Sequence, residues 1–222
     1  MLRELLSRPG VVERCELRTR FGLMAFHGGN LERVTDTVAA EVAHRTHASL
    51  YAVIQRPPLR IHLASTFFDP AHSDPLARFL GHVGTAVAIH GYGHRNEIRH
   101  HVLVGGRNRP LARHIARYLR AGLSERYPVI DELERIPRDL RGQHLRNPVN
   151  LPPGHGVQIE LPPSIRWNRC EDGWSDHGGV SRAPDVDRLI DALSWAVASW
   201  TVPGERSSES RRGAHALFGQ RI

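Results

Sequence analysis

The sequence predicts an α/β fold, a mixed and mostly parallel sheet sandwiched by helices. Short apolar runs alternate along the chain with segments of helical period, the pattern of strands linked by crossover helices. Several of those runs stop at glycine, which ends a strand and frees the backbone to turn. The chain has 222 residues, 40% hydrophobic and 24% charged, which is enough for one substantial core and ordinary for a globular protein.

The elements follow in order. Phe21 to Phe26 is an apolar run suited to a buried strand, broken at once by His27-Gly28-Gly29. Thr35 to Thr46 reads as a helix, with Val38, Ala39 and Val42 on one face and the Glu41/Arg45 pair opposite. Leu50 to Ile54 and Arg60 to Ser65 read as strands separated by the turn at Arg56-Pro57-Pro58. Pro75 to Leu80 is a short helix. Thr85 to Ile89 is a compact strand that runs into His90-Gly91. Val102 to Val104 is a strand ended by Gly105-Gly106, followed by a helix from Pro110 to Gly122. Gly156 to Leu161 is a further strand. Asp185 to Trp200 is an amphipathic helix, with Val186, Leu189, Ile190, Leu193 and Val197 at helical spacing. No repeat divides the chain, so a single domain is expected over residues 1–202, with a polar, flexible tail at 203–222.

Composition narrows the function. No stretch approaches the roughly 20 apolar residues of a membrane helix, and Met1 to Arg20 lacks the apolar run of a secretory signal. The expectation is a cytoplasmic protein, or one released by a route that needs no signal, and a monomer. Cys15 and Cys170 are the only cysteines and stand far apart, which excludes a thiolate-rich zinc site and favours two free thiols. A formal net charge of +7 favours an anionic partner, although charge alone does not choose one.

Two of the fifteen histidines share a rare context. His27 and His90 each leave an apolar strand and each precede a glycine. The carboxyl ends of strands are where open α/β sheets bind ligands. Glu32 follows His27 by five residues and would fold back from the start of the next helix. Each of these residues taken alone is more often structural, and Glu32 would then serve the helix dipole. Together, two imidazoles and a carboxylate form a zinc-binding set that leaves one position for water. His62 stays outside this set, as a core or supporting residue. In the strand Gly156 to Leu161, Gln158 and Glu160 share a face opposite Val157 and Ile159. A carboxylate there needs a partner or a task. Glu160 is accordingly a candidate general base, with a salt bridge to Arg166 or another arginine as the competing reading.

The blocks MAFHGGNLERVT, RIHLASTFFDP, AVAIHGYG, VLVGGRNRPLA, RNPVN and GVQIELPPSIR, in that order, resemble the poly-γ-glutamate hydrolase family of phages and bacteria. The resemblance runs from about Phe21 to Arg166. It implies a metallocarboxypeptidase-like fold, one zinc ion on His27, Glu32 and His90, and Glu160 as general base and proton shuttle. It implies cleavage of the amide between the γ-carboxyl of one glutamate and the amine of the next. The expected substrate contacts are Arg166, with Asn147 and Asn150, and more weakly Arg107 and Arg109. The last two make this chain more basic than the phage pattern, a departure that fits either a clamp on α-carboxylates or a changed γ-glutamyl or acylated substrate. The competing function is a basic module that binds nucleic acid or another polyanion without catalysis. It ranks well below the hydrolase, because aromatic content is 6% and no nucleic-acid-binding motif is present.

Overall fold

A computed structural model describes residues 1–201. The expected tail at 203–222 lies outside the described residues. Nine strands form among the described residues: β1 (Val11–Glu16), β2 (Phe21–Gly29), β3 (Ser49–Gln55), β4 (Thr85–Gly91), β5 (Val102–Val104), β6 (Val129–Ile130), β7 (Gly156–Leu161), β8 (Trp167–Asn168) and β9 (Gly173–Trp174). The first seven make one sheet in the order β1-β3-β2-β4-β7-β5-β6, and β8 and β9 form a separate ribbon. β3, β2, β4 and β7 run parallel to one another, whereas β1 pairs antiparallel with β3 and β5 antiparallel with β7, and β6 runs parallel to β5. The mixed, mostly parallel sheet expected from the alternation is therefore present.

Strands buried on both faces should read as continuous apolar runs, and β2 and β4 do up to their His-Gly ends, whereas β7 is equally buried but alternates Gln158 and Glu160 with Val157, Ile159 and Leu161. One face carries α2 (Thr35–Thr46), α4 (Arg109–Gly122) and α6 (Pro184–Ala198), packed on Leu23, Ala25, Val87, Ile89, Val157 and Ile159. The other face carries α1 (Leu2–Leu6) and α3 (Asp74–His82) over Met24, Phe26, Ala86 and Ala88. A short α5 (Pro163–Arg166) follows β7. Two of the helix starts are chemically marked. Ser73 Oγ accepts from Leu76 N at 3.0 Å at the start of α3, and Asn108 Oδ1 accepts from Leu111 N at 3.0 Å at the start of α4, each cap contributing about 1 kcal/mol. No helix among the described residues is long and apolar enough to cross a membrane.

One expected strand is absent. Arg60 to Ser65 forms no ladder, because the Gln55 side chain takes over the backbone groups of Ile61. Its Nε2 donates to Ile61 O and its Oε1 accepts from Ile61 N, both at 2.8 Å. This irregular segment then carries His62 and Leu63 toward the carboxyl ends of β2 and β4. The short elements α1, β1, β6, β8 and β9 do not announce themselves in the sequence, being brief and weakly patterned.

Gly29 closes β2 at φ +70°, and a Cβ there would stand 2.3 Å from the carbonyl oxygen of Gln55. Gly29→Ala is expected to destabilise the protein by about 3 kcal/mol, from left-handed backbone strain plus a backbone clash. Gly81→Ala, in α3 with nothing within 4 Å of the added methyl, should be neutral or stabilise by up to about 1 kcal/mol. Urea midpoints of the two variants check the contrast.

Candidate active site

β2 does not deliver His27 by simple alternation. Between Ala25 and Gly28 the register against β3 slips, so that three residues of β2 span two of β3. Alternation alone would aim His27 to the face of Leu23 and Ala25. The bulge turns it instead to the face of Phe26, where its ring lies 5.9 Å from Phe68 and 5.2 Å from His90. On β4, His90 follows Ala86 and Ala88 on that same face. On β7, Gln158 and Glu160 point the same way, and Glu160 pairs in register with His90 on the neighbouring strand. The period-two reading of β7 holds.

Glu32 joins the two histidines. The turn after β2 closes with Glu32 N donating to His27 O at 2.8 Å. The Glu32 carboxylate lies 2.6 Å from His27 Nδ1 through Oε1. Its Oε2 accepts from Gly91 N at 2.9 Å and lies 3.4 Å from His90 Nδ1. Burial pushes the Glu32 carboxyl upward, but His27 and His90 outweigh it and hold the group well below the usual carboxylate range.

Whether these donors fit a metal can be tested on His27. Its Nε2 is 2.8 Å from Leu63 O, a carbonyl that can only accept, so Nε2 carries the proton. Nδ1 faces a carboxylate oxygen, which also only accepts. Without a cation that contact requires a second proton on the ring. Consistent with this, Glu32 raises the His27 pKa against the opposing effect of burial. A metal ion supplies the positive charge instead, and a ligating histidine with its other nitrogen on a backbone carbonyl is the usual arrangement. His90 Nε2 is buried with no hydrogen-bond partner among the described residues. The donor set fits a metal.

His62, set aside in the sequence reading, joins this cluster. Donor atoms of His27, Glu32 and His62 all lie within 4.8 Å of one another. His90, buried to 3% exposure, approaches from the inner side, whereas His62 stands exposed at the mouth.

Glu160 is 4% exposed and accepts from Gln158 Nε2 at 2.8 Å. Burial raises its pKa to about 7, helped by the Glu32 charge and opposed by His90, Gln158 and Arg166. This has a stability consequence in metal-free protein. A carboxyl raised from 4.5 to about 7 keeps its proton in the folded state where the unfolded chain has lost it. Its stabilising contribution is thus present at pH 4.5 and is lost as pH rises to 7. Urea unfolding in chelator should show Glu160→Gln gaining about 3 kcal/mol on the wild type between pH 4.5 and 7.5. Parallel pH profiles for the two proteins would contradict it.

Arg166 does not pair with Glu160 in a salt bridge. Its guanidinium donates to Arg33 O at 3.0 Å and Tyr92 O at 3.1 Å and stacks 5.1 Å from the Trp174 ring centroid. Burial lowers its pKa to about 10, against the opposing charges of Glu32 and Glu160. Gly91 makes room for it, since a Cβ there would stand 2.6 Å from the guanidinium carbon. That, rather than turning, is what the glycine after His90 provides. These groups line one cavity of about 680 Å³ that holds His27, Glu32, His90, Glu160, Arg166 and Trp174. Arg33, Arg60 and Arg95 also line it, Arg95 in an ion pair with Asp139, giving it a cationic wall.

The remaining expected substrate contacts lie elsewhere. Asn147 Nδ2 donates to Gln158 Oε1 at 2.7 Å, while its Oδ1 accepts from Val149 N at 3.3 Å. It therefore acts behind the wall, holding the glutamine that holds Glu160. Asn150 Nδ2 donates to Gly142 O at 2.7 Å and His144 O at 3.1 Å, and its Oδ1 accepts from Arg107 N. Arg109 donates to Val104 O, Gly106 O and Asp131 O. Arg107 is exposed, and none of these four lines the cavity. Intramolecular partners already engage the side chains of Asn147, Asn150 and Arg109, whereas Arg107 lies on the surface. Sequence reading missed Gln158, His62 and Trp174. Only Gln158 carried a signal, as the polar partner of Glu160 on one strand face.

A family model described as poly-gamma-glutamate hydrolase matches residues 6–178. The chain belongs to the poly-gamma-glutamate hydrolase family. A bacteriophage poly-gamma-glutamate hydrolase structure aligns with a TM-score of 0.72 at 22% identity, covering 85% of this chain and 88% of that one. YNDL in its zinc-free apo form aligns with a TM-score of 0.66 at 17% identity, covering 86% and 90%. At these identities the two structures establish a shared fold. No curated protein matches the sequence. As a member of the poly-gamma-glutamate hydrolase family the chain is a hydrolase, and the cavity at the carboxyl ends of β2, β4 and β7 is its candidate active site.

Proposed function

We propose that this protein hydrolyses γ-glutamyl amide bonds, those of poly-γ-glutamate in the first instance, with zinc held by His27, Glu32 and His90. The observation that carries the reading is the placement of a buried, proton-accepting carboxylate, Glu160, on the strand beside His90 and on the wall of a cation-rich cavity. Zinc, when bound, supplies Lewis acidity and lowers the pKa of water to about 7. Glu160 takes the proton of the attacking water and later gives it to the leaving amine. Gln158 and, behind it, Asn147 fix the orientation of that carboxylate. Arg166 retains N–H donors beyond those spent on backbone carbonyls, and these face the developing negative charge or a substrate carboxylate. Arg33, Arg60 and Arg95 favour entry of a polyanion.

Purified full-length protein incubated with poly-γ-glutamate should release new amino groups and shorten the polymer, with activity lost in chelator and restored by zinc. Polymer left intact by metal-replete protein, with no metal bound on titration, would remove the proposal.

A further inference from the structure

A second cavity opens beside the active site. It has a volume of about 300 Å³ and is lined by His94, Arg99, His100, Pro163, Trp167 and Trp174, among others. Trp174, Pro163 and His94 also line the catalytic cavity, so the two spaces share a wall. The tryptophans sit directly opposite each other on the β8–β9 ribbon, 5.2 Å apart and nearly perpendicular. Neither belongs to any of the hydrophobic core clusters, and both are only part-buried. Core packing therefore does not account for them, although the Arg33 and Arg166 guanidinia lie 5.5 and 5.1 Å from the Trp174 ring centroid on the catalytic side.

A cavity walled by two indoles and a proline suits a flat apolar group rather than a bare carboxylate. Its volume is twice the roughly 150 Å³ in which an apolar cavity holds benzene, which leaves room for a ring and the amide attached to it. Arg99 and Arg169, both exposed, stand at its rim, and the cationic wall of the catalytic cavity lies on the far side of Trp174. One molecule matching both spaces would carry an aromatic head joined to an anionic γ-glutamyl chain.

We propose that the Trp167–Trp174 cavity is a subsite for an aromatic N-acyl cap, so that the preferred substrate is a γ-glutamyl oligomer bearing an aroyl group at its amino end. The proposal rests on the γ-glutamyl hydrolase reading above and adds the identity of the head group. The cap packs against the indoles. The chain passes Trp174, and its carboxylates face Arg33, Arg60 and Arg166 while a γ-amide reaches Glu160. Water adds to that amide and yields a shortened carboxylate and a free amine.

The test compares two γ-linked triglutamates, one capped with benzoyl and the other with acetyl, on wild type, Trp167→Ala and Trp167→Phe. The wild type should hydrolyse the benzoyl form with kcat/KM about tenfold higher, the scale of one well-packed aromatic contact set. Trp167→Ala should bring the ratio between caps near one, and Trp167→Phe should restore much of it. Equal values for both caps in the wild type would overturn the subsite, as would a Trp167→Ala ratio that stays at the wild-type value. A separate arm titrates benzoyl-triglutamate into wild-type protein in chelator, following tryptophan fluorescence. Saturable quenching that the acetyl form and Trp167→Ala both lack supports the subsite even if no amide is cleaved, in which case the hydrolase reading fails alone. No quenching together with no cleavage preference ends the proposal. A Trp167→Ala protein that fails to fold leaves the wild-type cap ratio and the quenching titration to decide.

Discussion

Glu160→Gln is expected to lower kcat for γ-glutamyl amide hydrolysis by about 10²–10⁴-fold, the range attributed to a positioned general base. The substitution preserves size and leaves the neighbouring strand register intact, but removes the only proton acceptor that the wall of β7 offers beside His90. Gln158 donates to Glu160 Oε1 and can donate equally to the new amide oxygen, so the side chain should stay in place. Metal content should stay at one equivalent, and KM should move little. A kcat within tenfold of the wild type, with metal retained, would assign the proton transfer to another group.

The second large effect is on metal binding. His90→Ala should weaken zinc affinity by more than the roughly 10–100-fold that loss of a ligand's outer hydrogen-bond partner costs, and activity should fall with it. The removed imidazole is buried, with Nδ1 at 3.4 Å from Glu32 Oε2 and Nε2 unpartnered among the described residues. His62→Ala is the informative comparison, because His62 falls within the tight donor group of His27 and Glu32 although it is exposed. If His90 completes the set, His62→Ala keeps stoichiometric metal and His90→Ala does not. The reverse order, read by metal analysis after dialysis, would move the third ligand to residue 62.

What was legible in the sequence is what depends on near neighbours. The runs that became β2 and β4 are continuous and apolar up to their His-Gly ends because both faces of each strand are covered. The apolar stripes of α2, α4 and α6 repeat with the helical turn, and one period-two step put Gln158 and Glu160 on a common face. The His-Gly strand ends and Glu32 were visible for the same reason. Arg60–Ser65 misled because its composition suits a strand, whereas the side chain of Gln55, six residues before Ile61, had already claimed the backbone groups of Ile61 that a ladder would use. Asn147 and Asn150 were less legible, because an asparagine beside a site looks the same in sequence whether it touches substrate or props up the wall.

The sequence alone determined the α/β class, the histidines and carboxylates available for chemistry, and the family to which the chain belongs. The tertiary structure decided that a bulge turns His27 toward His90, that His62 arrives on an irregular segment, and that Arg166 fills the space above Gly91 instead of pairing with Glu160. It also placed two tryptophans beside the catalytic cavity. Those outcomes depend on register between strands and on contacts between residues far apart in the chain, such as Arg166 with the carbonyl of Arg33. Periodicity in a single chain carries information over a few residues, whereas close packing is satisfied only by the whole sheet and its two layers of helices at once.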